Sequence, residues 1–314
     1  MHRILFVLTF AIIAPLTALA QHTAGPSASA ADPKARALEV LKQARTVIWD
    51  ETKSKPLQSL TINATSRTVV GQGESTNEMT LDVLTPDKFL QTVSRFLGAA
   101  EFTSILAING TQTWSDFKQP DLGAIADAKS AMAGDAAKGD AYASKKGAAG
   151  GNFGGSGSGA MPQVNQTDLS RLVLAWLLIT PGTLPVEFTY AGEAKADSKT
   201  ADVIDAIGPN NFTARLFMDQ SSHQLLMLTY KVKVPNPNRG SQGPGQNQGP
   251  EAIANAPEVE VRWVVSDYRN AGGLNLPHRL TKSIGGQLSG EITVNKVKVN
   301  PALKPEKFER KSGK

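Results

Sequence analysis

Two histidines lie in turn-like positions where hydrolytic chemistry could be assembled. His223 follows Ser221 and Ser222, and His278 follows a Leu-Pro pair. A serine, a histidine and a carboxylate within hydrogen-bonding distance form the triad of acyl-transfer enzymes. The carboxylates available to such a triad are Asp202, Asp205, Asp219 and Asp267. However, no Gly-x-Ser-x-Gly elbow is present to expose the serine, so we expect a non-catalytic protein.

Metal and cofactor chemistry has little to build on in this sequence. After residue 20 the histidines are His22, His223 and His278, without a His-x-x-x-His pair, and the chain contains no cysteine. Zinc sites in proteins are built from such histidine and cysteine ligands. The Gly-Gln-Gly at 71–73 lacks the further glycines of a phosphate-binding loop. We predict no metal, no cofactor and no nucleotide.

The charge pattern argues against nucleic acid as a partner. The formal net charge is +5, and lysines and arginines are mixed with carboxylates along the chain. Nucleic-acid binding requires a concentrated basic patch or stripe. The lack of cysteine also excludes disulfides, so the hydrophobic core alone must stabilise the fold.

The first twenty residues have the pattern of a secretory signal peptide. A short basic start containing Arg3 precedes an apolar run from Ile4 to Leu16, and Ala18-Leu19-Ala20 provides a small-residue cleavage site. The apolar run is shorter than the roughly 20 residues of a membrane-spanning helix. We therefore expect residues 1–20 to be removed and the protein to be periplasmic; the alternative is an uncleaved N-terminal anchor. No cysteine follows the cleavage site, so we expect no lipid anchor.

Two segments have compositions that cannot build a core. Residues 124–163 are rich in Gly, Ala and Ser, and residues 235–257 are rich in Pro, Gly, Asn and Gln. We interpret them as insertions in a single domain spanning residues 32–309.

Two helices are predicted among the remaining residues. The first begins with Asp32 as N-cap and Pro33 at the first position, and its apolar residues recur at helical spacing. The second contains RLVLAWLLITP, which is apolar nearly all round and therefore predicts a helix buried on most sides. The other segments alternate with a period of two and are rich in Thr, Val and Ile, as in antiparallel strands. Asn109-Gly110 predicts a hairpin turn between two of them.

This order of elements resembles the LolA/LolB-like lipoprotein-localisation superfamily. The likeness lies in an exported N-terminal helix, a strand meander, a central apolar helix and a closing series of strands. The motifs that carry it are Asp267-Tyr268-Arg269, Gly273-Leu274 and Leu276-Pro277 in one hairpin, and Ala201-Asp202-Val203 with the run from Arg215 to Asp219 in two paired strands.

The resemblance implies a mainly β fold with two or more α-helices. Its strongly curved antiparallel sheet is an incomplete β-barrel, and the helices cover the concave face. Such a fold encloses a pocket for a lipid, an acyl chain or the anchor of an acylated lipoprotein, with a membrane protein of the envelope as a further partner. The alternative is a cell-envelope scaffold with a filled core, whose sheet edge binds a partner strand.

The candidate ligand-binding residues follow from this interpretation; the alternative for the aromatic ones, Phe89, Trp114, Trp176 and Trp263, is that they fill an ordinary core. Trp176 is the central one, and its replacement by aspartate is expected to abolish lipid uptake while leaving the sheet folded. Arg269 is a candidate for the pocket rim, with a structural salt bridge as its other interpretation. The candidate pocket and lid residues are Leu38, Leu41, Ile48, Phe89, Trp114, Leu172, Trp176, Leu177 and Trp263.

Overall fold

The first helix, α1 (Pro33–Ile48), begins at the proline that the sequence predicts as its first residue. Its buried positions are Ala37, Val40, Leu41, Ala44 and Ile48, which recur every three or four residues and so form one face.

The structure of the protein is a computed structural model. The described residues are 32–52, 54–70, 73–97, 100–119, 166–182, 184–196, 199–234 and 256–310. The predicted signal peptide and the 124–163 insertion lie outside them, as does the 235–257 insertion except for its last two residues.

Five strands follow α1 as an antiparallel meander. They match the predicted period-two segments, and the hairpin between the last two of them turns at Gly110 and Thr111, one residue later than the predicted pair. Gly110 has a φ of 58°, which a glycine adopts without steric cost. The strands are β1 (Ser59–Val70), β2 (Gly73–Leu84), β3 (Lys88–Leu97), β4 (Ala100–Asn109) and β5 (Gln112–Lys118).

The second helix, α2 (Gln166–Leu177), is enclosed as its apolar composition predicts. Every residue from Leu169 to Leu178 is buried, including Ser170 and Arg171. Leu178 ends the helix with a φ of 54°, and its N–H donates to the carbonyl of Leu174. A helix buried on all sides must lie inside the fold rather than on its surface.

Seven further strands complete the sheet. They are β6 (Glu187–Ala196), β7 (Lys199–Ile207), β8 (Thr213–Asp219), β9 (Leu225–Lys233), β10 (Glu258–Ala271), β11 (Leu274–Ile284) and β12 (Gln287–Val299). The two predicted motif groups pair as expected: β7 with β8, and β10 with β11 across a Gly272-Gly273 turn.

The twelve strands form one antiparallel sheet in the order β5-β4-β3-β2-β1-β12-β11-β10-β9-β8-β7-β6. Strands β5 and β6 are its two ends and do not pair with each other, so the sheet is open. Helix α2 contacts both β4 and β11, and α1 contacts both β11 and β6. In this order β4 lies near one end, β11 in the middle and β6 at the other end. The two helices together contact all three strands, so the sheet must curve around the helices. The predicted fold class, an incomplete barrel with helices on its concave face, is confirmed.

A C-terminal strap, residues 301–310, packs on the other face of β3, β4 and β5. Leu90 and Ala107 point to this face because they alternate with core residues of the same strands. Phe308 is fully buried against them, and the Trp114 indole N–H donates to the Phe308 carbonyl at 2.9 Å. The strap therefore gives this half of the sheet a second, smaller core.

Candidate functional site

An open cleft of about 580 Å³ lies on the concave face, beside the N-terminal end of α2. Strands β1 to β5 form one side, β9 to β12 form the other, and Asp168 of α2 also lines it. This volume is within the range of about 300–1,000 Å³ that is typical of small-molecule sites. Met79 and Ile292 line the cleft and also belong to the hydrophobic core. The cleft is therefore the part of the concave face that the two helices leave uncovered.

The cleft combines apolar and polar walls. Along β1, the inward side chains change from Leu60, Ile62 and Ala64 in the core to Ser66 and Thr68 in the cleft. The apolar lining residues are Met79, Val93, Phe102, Phe117, Trp263 and Ile292. The uncharged polar ones are Ser66, Thr68, Ser75, Asn77, Gln91, Ser104 and Ser289. Such a lining suits an amphiphile better than a bare hydrocarbon chain, because both parts of an amphiphile find matching groups.

Most charged groups that line the cleft are already paired. Arg67 lies 3.2 Å from Glu74, Asp168 lies 3.1 Å from Arg171, and Glu291 lies 3.8 Å from Arg279. Arg95 and Lys282 also line the cleft, and within the described part of the chain neither has an ion pair. The unpaired charge of the cleft is therefore positive.

Lys282 is the less exposed of these two cations. Its ammonium nitrogen lies 5.4 Å from the centroid of the Trp263 ring, within the range of a cation–π interaction. Desolvation by burial lowers the pKa of Lys282, and the Arg171 charge lowers it further, whereas Asp168 opposes both. Gly290 is the β12 residue opposite Lys282, and the Arg67 carbonyl of β1 lies 2.8 Å from where a Cβ would be, so backbone occupies that flank.

Arg171 fixes the N-terminal end of α2 beside the cleft. Its guanidinium lies 4.0 Å from the centroid of the Tyr230 ring and donates to the Thr213 carbonyl and the Asp168 carboxylate. Burial and the Asp168 charge raise the pKa of Tyr230, so its hydroxyl stays protonated. This network neutralises the Asp168 carboxylate and holds α2 against β8 and β9.

At the other end of α2, Arg45 joins the two helices. Its Nε donates to the Leu178 carbonyl at 2.8 Å, and burial lowers the pKa of the guanidinium. The carbonyls at a helix C-terminus lack intrahelical partners and attract positive charge. Arg45 therefore links α1 to the end of α2.

We expect the Arg45→Met variant to loosen this link. Methionine preserves the packing of the aliphatic stem and removes the charged donor, which costs about 1.5–3 kcal/mol of unfolding free energy for a hydrogen bond to a charged group. Urea unfolding measures this loss. The control Lys42→Met changes an exposed residue of α1 and should remain within about 0.5 kcal/mol. Equal stability of the two variants would show that Arg45 does not join the helices.

Six predicted pocket and lid residues are brought together in the core rather than around an empty cavity. They are Leu41, Ile48, Phe89, Leu172, Trp176 and Leu177. Trp263 packs against this core and also lines the cleft. The cleft and the filled core therefore lie side by side on one face of the sheet.

Three predicted residues lie elsewhere. Leu38 is 54% exposed on the outer side of α1, and Trp114 packs in the smaller core under the strap. Arg269 is exposed and makes two hydrogen bonds to Asp267. Neither Trp114 nor Arg269 lines the cleft. Trp114 lies on the opposite face of β5, and Arg269 has the salt bridge considered as its other interpretation.

The sequence around His223 forms a tight turn. Asp219 accepts hydrogen bonds from the Ser221 hydroxyl and from the N–H groups of Ser221 and Ser222. These bonds lower the pKa of Asp219 to about 2. His223 has a φ of 55°, and its N–H donates to the Asp219 carbonyl. These side chains close the β8–β9 connection, which explains the serines and the carboxylate without a catalytic role.

Within the described ranges, no group of three His, Asp or Glu side chains lies close enough to hold a metal ion. No helix among these residues is both long and apolar enough to span a membrane.

Sequence reasoning missed the cations of the cleft and the link between the helices. Lys282 and Arg95 occur in strands with ordinary period-two alternation. They line one cleft only because the curved sheet brings β11 and β3 to the same cleft. The acceptor of Arg45 is a carbonyl 133 residues away. An available indication was the position of Arg45 in the apolar stripe of α1, where a charged residue needs a partner.

Comparison with known proteins gives similarity of structure only. No family model and no curated protein matches the sequence. A LolA superfamily protein from Nitrosomonas europaea has a TM-score of 0.47 and 10% identity, over 87% of this chain and 97% of that one. A putative outer membrane lipoprotein-sorting protein domain from Vibrio parahaemolyticus has a TM-score of 0.45 and 8% identity, over 88% and 97%. A DUF1329 family protein from Desulfovibrio piger has a TM-score of 0.41 and 9% identity, over 88% and 98%. The superfamily that the sequence resembles is thus also named among the structural matches, and the likeness concerns the fold alone.

Proposed function

We propose that this protein is an exported, non-catalytic carrier that binds a lipid, or the acyl anchor of a lipoprotein, in the cleft of the concave face. The observation that carries this proposal is the cleft itself, whose lining combines side chains of the hydrophobic core with polar side chains. The apolar start of the sequence supports a periplasmic location, since residues 1–20 have the pattern of a signal peptide.

Burial of the acyl chain supplies the affinity in this proposal. Each methylene removed from water contributes about 0.8 kcal/mol, so ten methylenes contribute about 8 kcal/mol. Association and ordering of the ligand oppose this gain by about 4 kcal/mol or more. A chain of moderate length on the Met79, Val93 and Ile292 side of the cleft is therefore sufficient for reversible binding.

The two helices control how far the chain reaches. Trp176 and its neighbours on α2 fill the concave face next to the cleft, so a longer chain requires α2 to move. The Arg45–Leu178 hydrogen bond opposes this movement. Closure of α2 after release restores the buried core, which makes binding and release reversible.

The experiment is native mass spectrometry and lipid extraction of protein purified from the periplasm without detergent. We expect a co-purifying lipid or acylated peptide on the unmodified protein. The Ser104→Trp variant places a large ring on a cleft-lining position and should reduce the lipid-bound fraction at least about fivefold, because the indole occupies cleft volume that the acyl chain would fill.

The matched control is Ser94→Trp, on the neighbouring strand β3. Ser94 lies between the cleft-lining Val93 and Arg95, so its side chain points to the opposite face. This variant should retain its lipid. Equal loss from both variants, or a protein without lipid that takes up none on incubation with lipids and lipopeptides, would contradict the carrier.

The scaffold remains the second candidate because two observations favour it. The core is filled by α2, and β5 and β6 each have one edge without a partner strand in the described sheet. Such edges can pair with an extended segment of another protein. A protein without lipid that captures an envelope protein through β5 or β6 would favour the scaffold over the carrier.

A further inference from the structure

We propose that the cleft selects amphiphiles with an anionic head, whose phosphate or carboxylate oxygens bind between Lys282 and Arg95. This inference rests on the proposed function and specifies its ligand class. Its basis is the pattern of charges that line the cleft: Asp168 and Glu291 each have an ion pair, whereas Lys282 and Arg95 have none with any described residue.

Lys282 is the stronger of the two anchors. An ammonium group taken out of water needs hydrogen-bond acceptors, and within the described residues the contact it makes is with the face of the Trp263 ring. A ring face offers no lone pair to the three N–H donors. An oxyanion at this position would accept these hydrogen bonds and offset the desolvation of the charge.

The surroundings direct such an oxyanion to the cleft side of Lys282. Gly290 is opposite Lys282, but the Arg67 carbonyl lies 2.8 Å from the place of a Cβ there, so backbone occupies the flank toward β12. The Asp168 carboxylate accepts a hydrogen bond from Arg171, so its charge is shared with that guanidinium. Because Lys282 lines the cleft, an oxyanion reaches its ammonium from the cleft.

Arg95 provides the second contact from the opposite wall. It is exposed on β3, four strands away from β11 in the sheet order, and lines the same cleft. A guanidinium binds phosphate or carboxylate through a pair of N–H groups. The head would thus lie between the two walls while the tail contacts Val93, Phe102 and Ile292.

The experiment compares three probes by isothermal titration calorimetry: decyl phosphate, decanol and inorganic phosphate. Decyl phosphate carries both head and tail, decanol carries the tail with a neutral head, and inorganic phosphate carries the head alone. We expect decyl phosphate to bind about tenfold to a hundredfold more tightly than decanol, as expected for hydrogen bonds between charged groups. Inorganic phosphate should bind still more weakly, because it buries no methylene.

Variants then assign the effect to the side chain. Lys282→Met should reduce the affinity for decyl phosphate about tenfold or more and leave decanol within about twofold, whereas Lys282→Arg should restore most of the loss. Lys296→Met removes an exposed lysine of β12 and serves as the control. The comparison of decyl phosphate with decanol on the unmodified protein needs no variant, so it decides the proposal even if Lys282→Met fails to fold.

The outcomes separate this inference from the proposed function. Equal affinities for decyl phosphate and decanol would overturn the anionic head and leave the carrier intact. Inorganic phosphate that binds as tightly as decyl phosphate would overturn the amphiphile and indicate a site for free oxyanions. Failure of all three probes to bind, together with an absence of co-purified lipid, would overturn both proposals.

Discussion

Replacement of Trp176 by aspartate is expected to unfold the protein. Trp176 is fully buried in the concave core, and truncation of a buried aromatic side chain costs about 3–5 kcal/mol. A carboxylate at the same place would also be buried without a partner, which adds several kcal/mol. The sum approaches the 5–15 kcal/mol that stabilises a typical domain. The burial of Trp176 therefore contradicts the expectation that this variant retains a folded sheet.

Milder changes at the same position test the reason for this effect. The indole N–H of Trp176 is buried without a hydrogen-bond acceptor among the described residues. Trp176→Phe removes this unpaired donor along with part of the volume, so we expect a loss below about 2 kcal/mol. Leu38→Asp serves as a control, because Leu38 is an exposed residue of α1, and should cost less than about 1 kcal/mol.

Urea unfolding followed by far-UV circular dichroism measures these differences. We expect Trp176→Asp to be unfolded without urea, and Trp176→Phe and Leu38→Asp to unfold cooperatively near the midpoint of the unmodified protein. A Trp176→Asp protein that is as stable as Leu38→Asp would show that α2 does not fill the core.

Deletion of the C-terminal strap is expected to give the other large effect. Lys307 forms an ion pair with Asp82 at 2.6 Å, and Asp82 is buried with the Thr61 hydroxyl as its other partner. Because the Lys307 side chain is 45% exposed, loss of this pair costs less than the about 3–5 kcal/mol of a fully buried one, and loss of the fully buried Phe308 adds about 3–5 kcal/mol. We expect deletion of residues 302–314 to lower the unfolding free energy by at least about 4 kcal/mol.

The control for the strap deletes residues 311–314 alone. This shorter deletion keeps Lys307 and Phe308, and it should leave the urea midpoint within experimental error. Lys307→Met then separates the ion pair from the apolar contacts. Identical midpoints for the two deletions would show that the strap does not stabilise β3, β4 and β5.

Much of the fold was predictable because it follows from local patterns. The proline start and apolar spacing of α1 are local properties, and so is the period-two alternation of strands such as β1. The enclosed position of α2 follows from its continuous apolarity. These features depend on backbone geometry and hydrophobic burial, which act within short segments of the chain.

The site was less predictable because it depends on which face of each strand is concave. Period-two alternation shows that Phe89 and Gln91 share a face, yet it does not show that Trp114 lies on the opposite one. The strap accounts for the position of Trp114 on the opposite face, because Phe308 packs against the outward side chains of β3, β4 and β5. Lys282 and Arg95 likewise meet in one cleft only through the curvature of the whole sheet. Contacts of this kind join residues that are far apart in the sequence.

The most direct test of the carrier is to map where an acyl chain binds. A fatty acid with a diazirine in its chain can be photocrosslinked to the protein and located by mass spectrometry of the peptides. We expect crosslinks in the segments that line the cleft, residues 91–104 and 263–292, and their loss in the Ser104→Trp variant. Crosslinks confined to the edge strands β5 and β6 or to the strap, unchanged by Ser104→Trp, would contradict binding in the cleft.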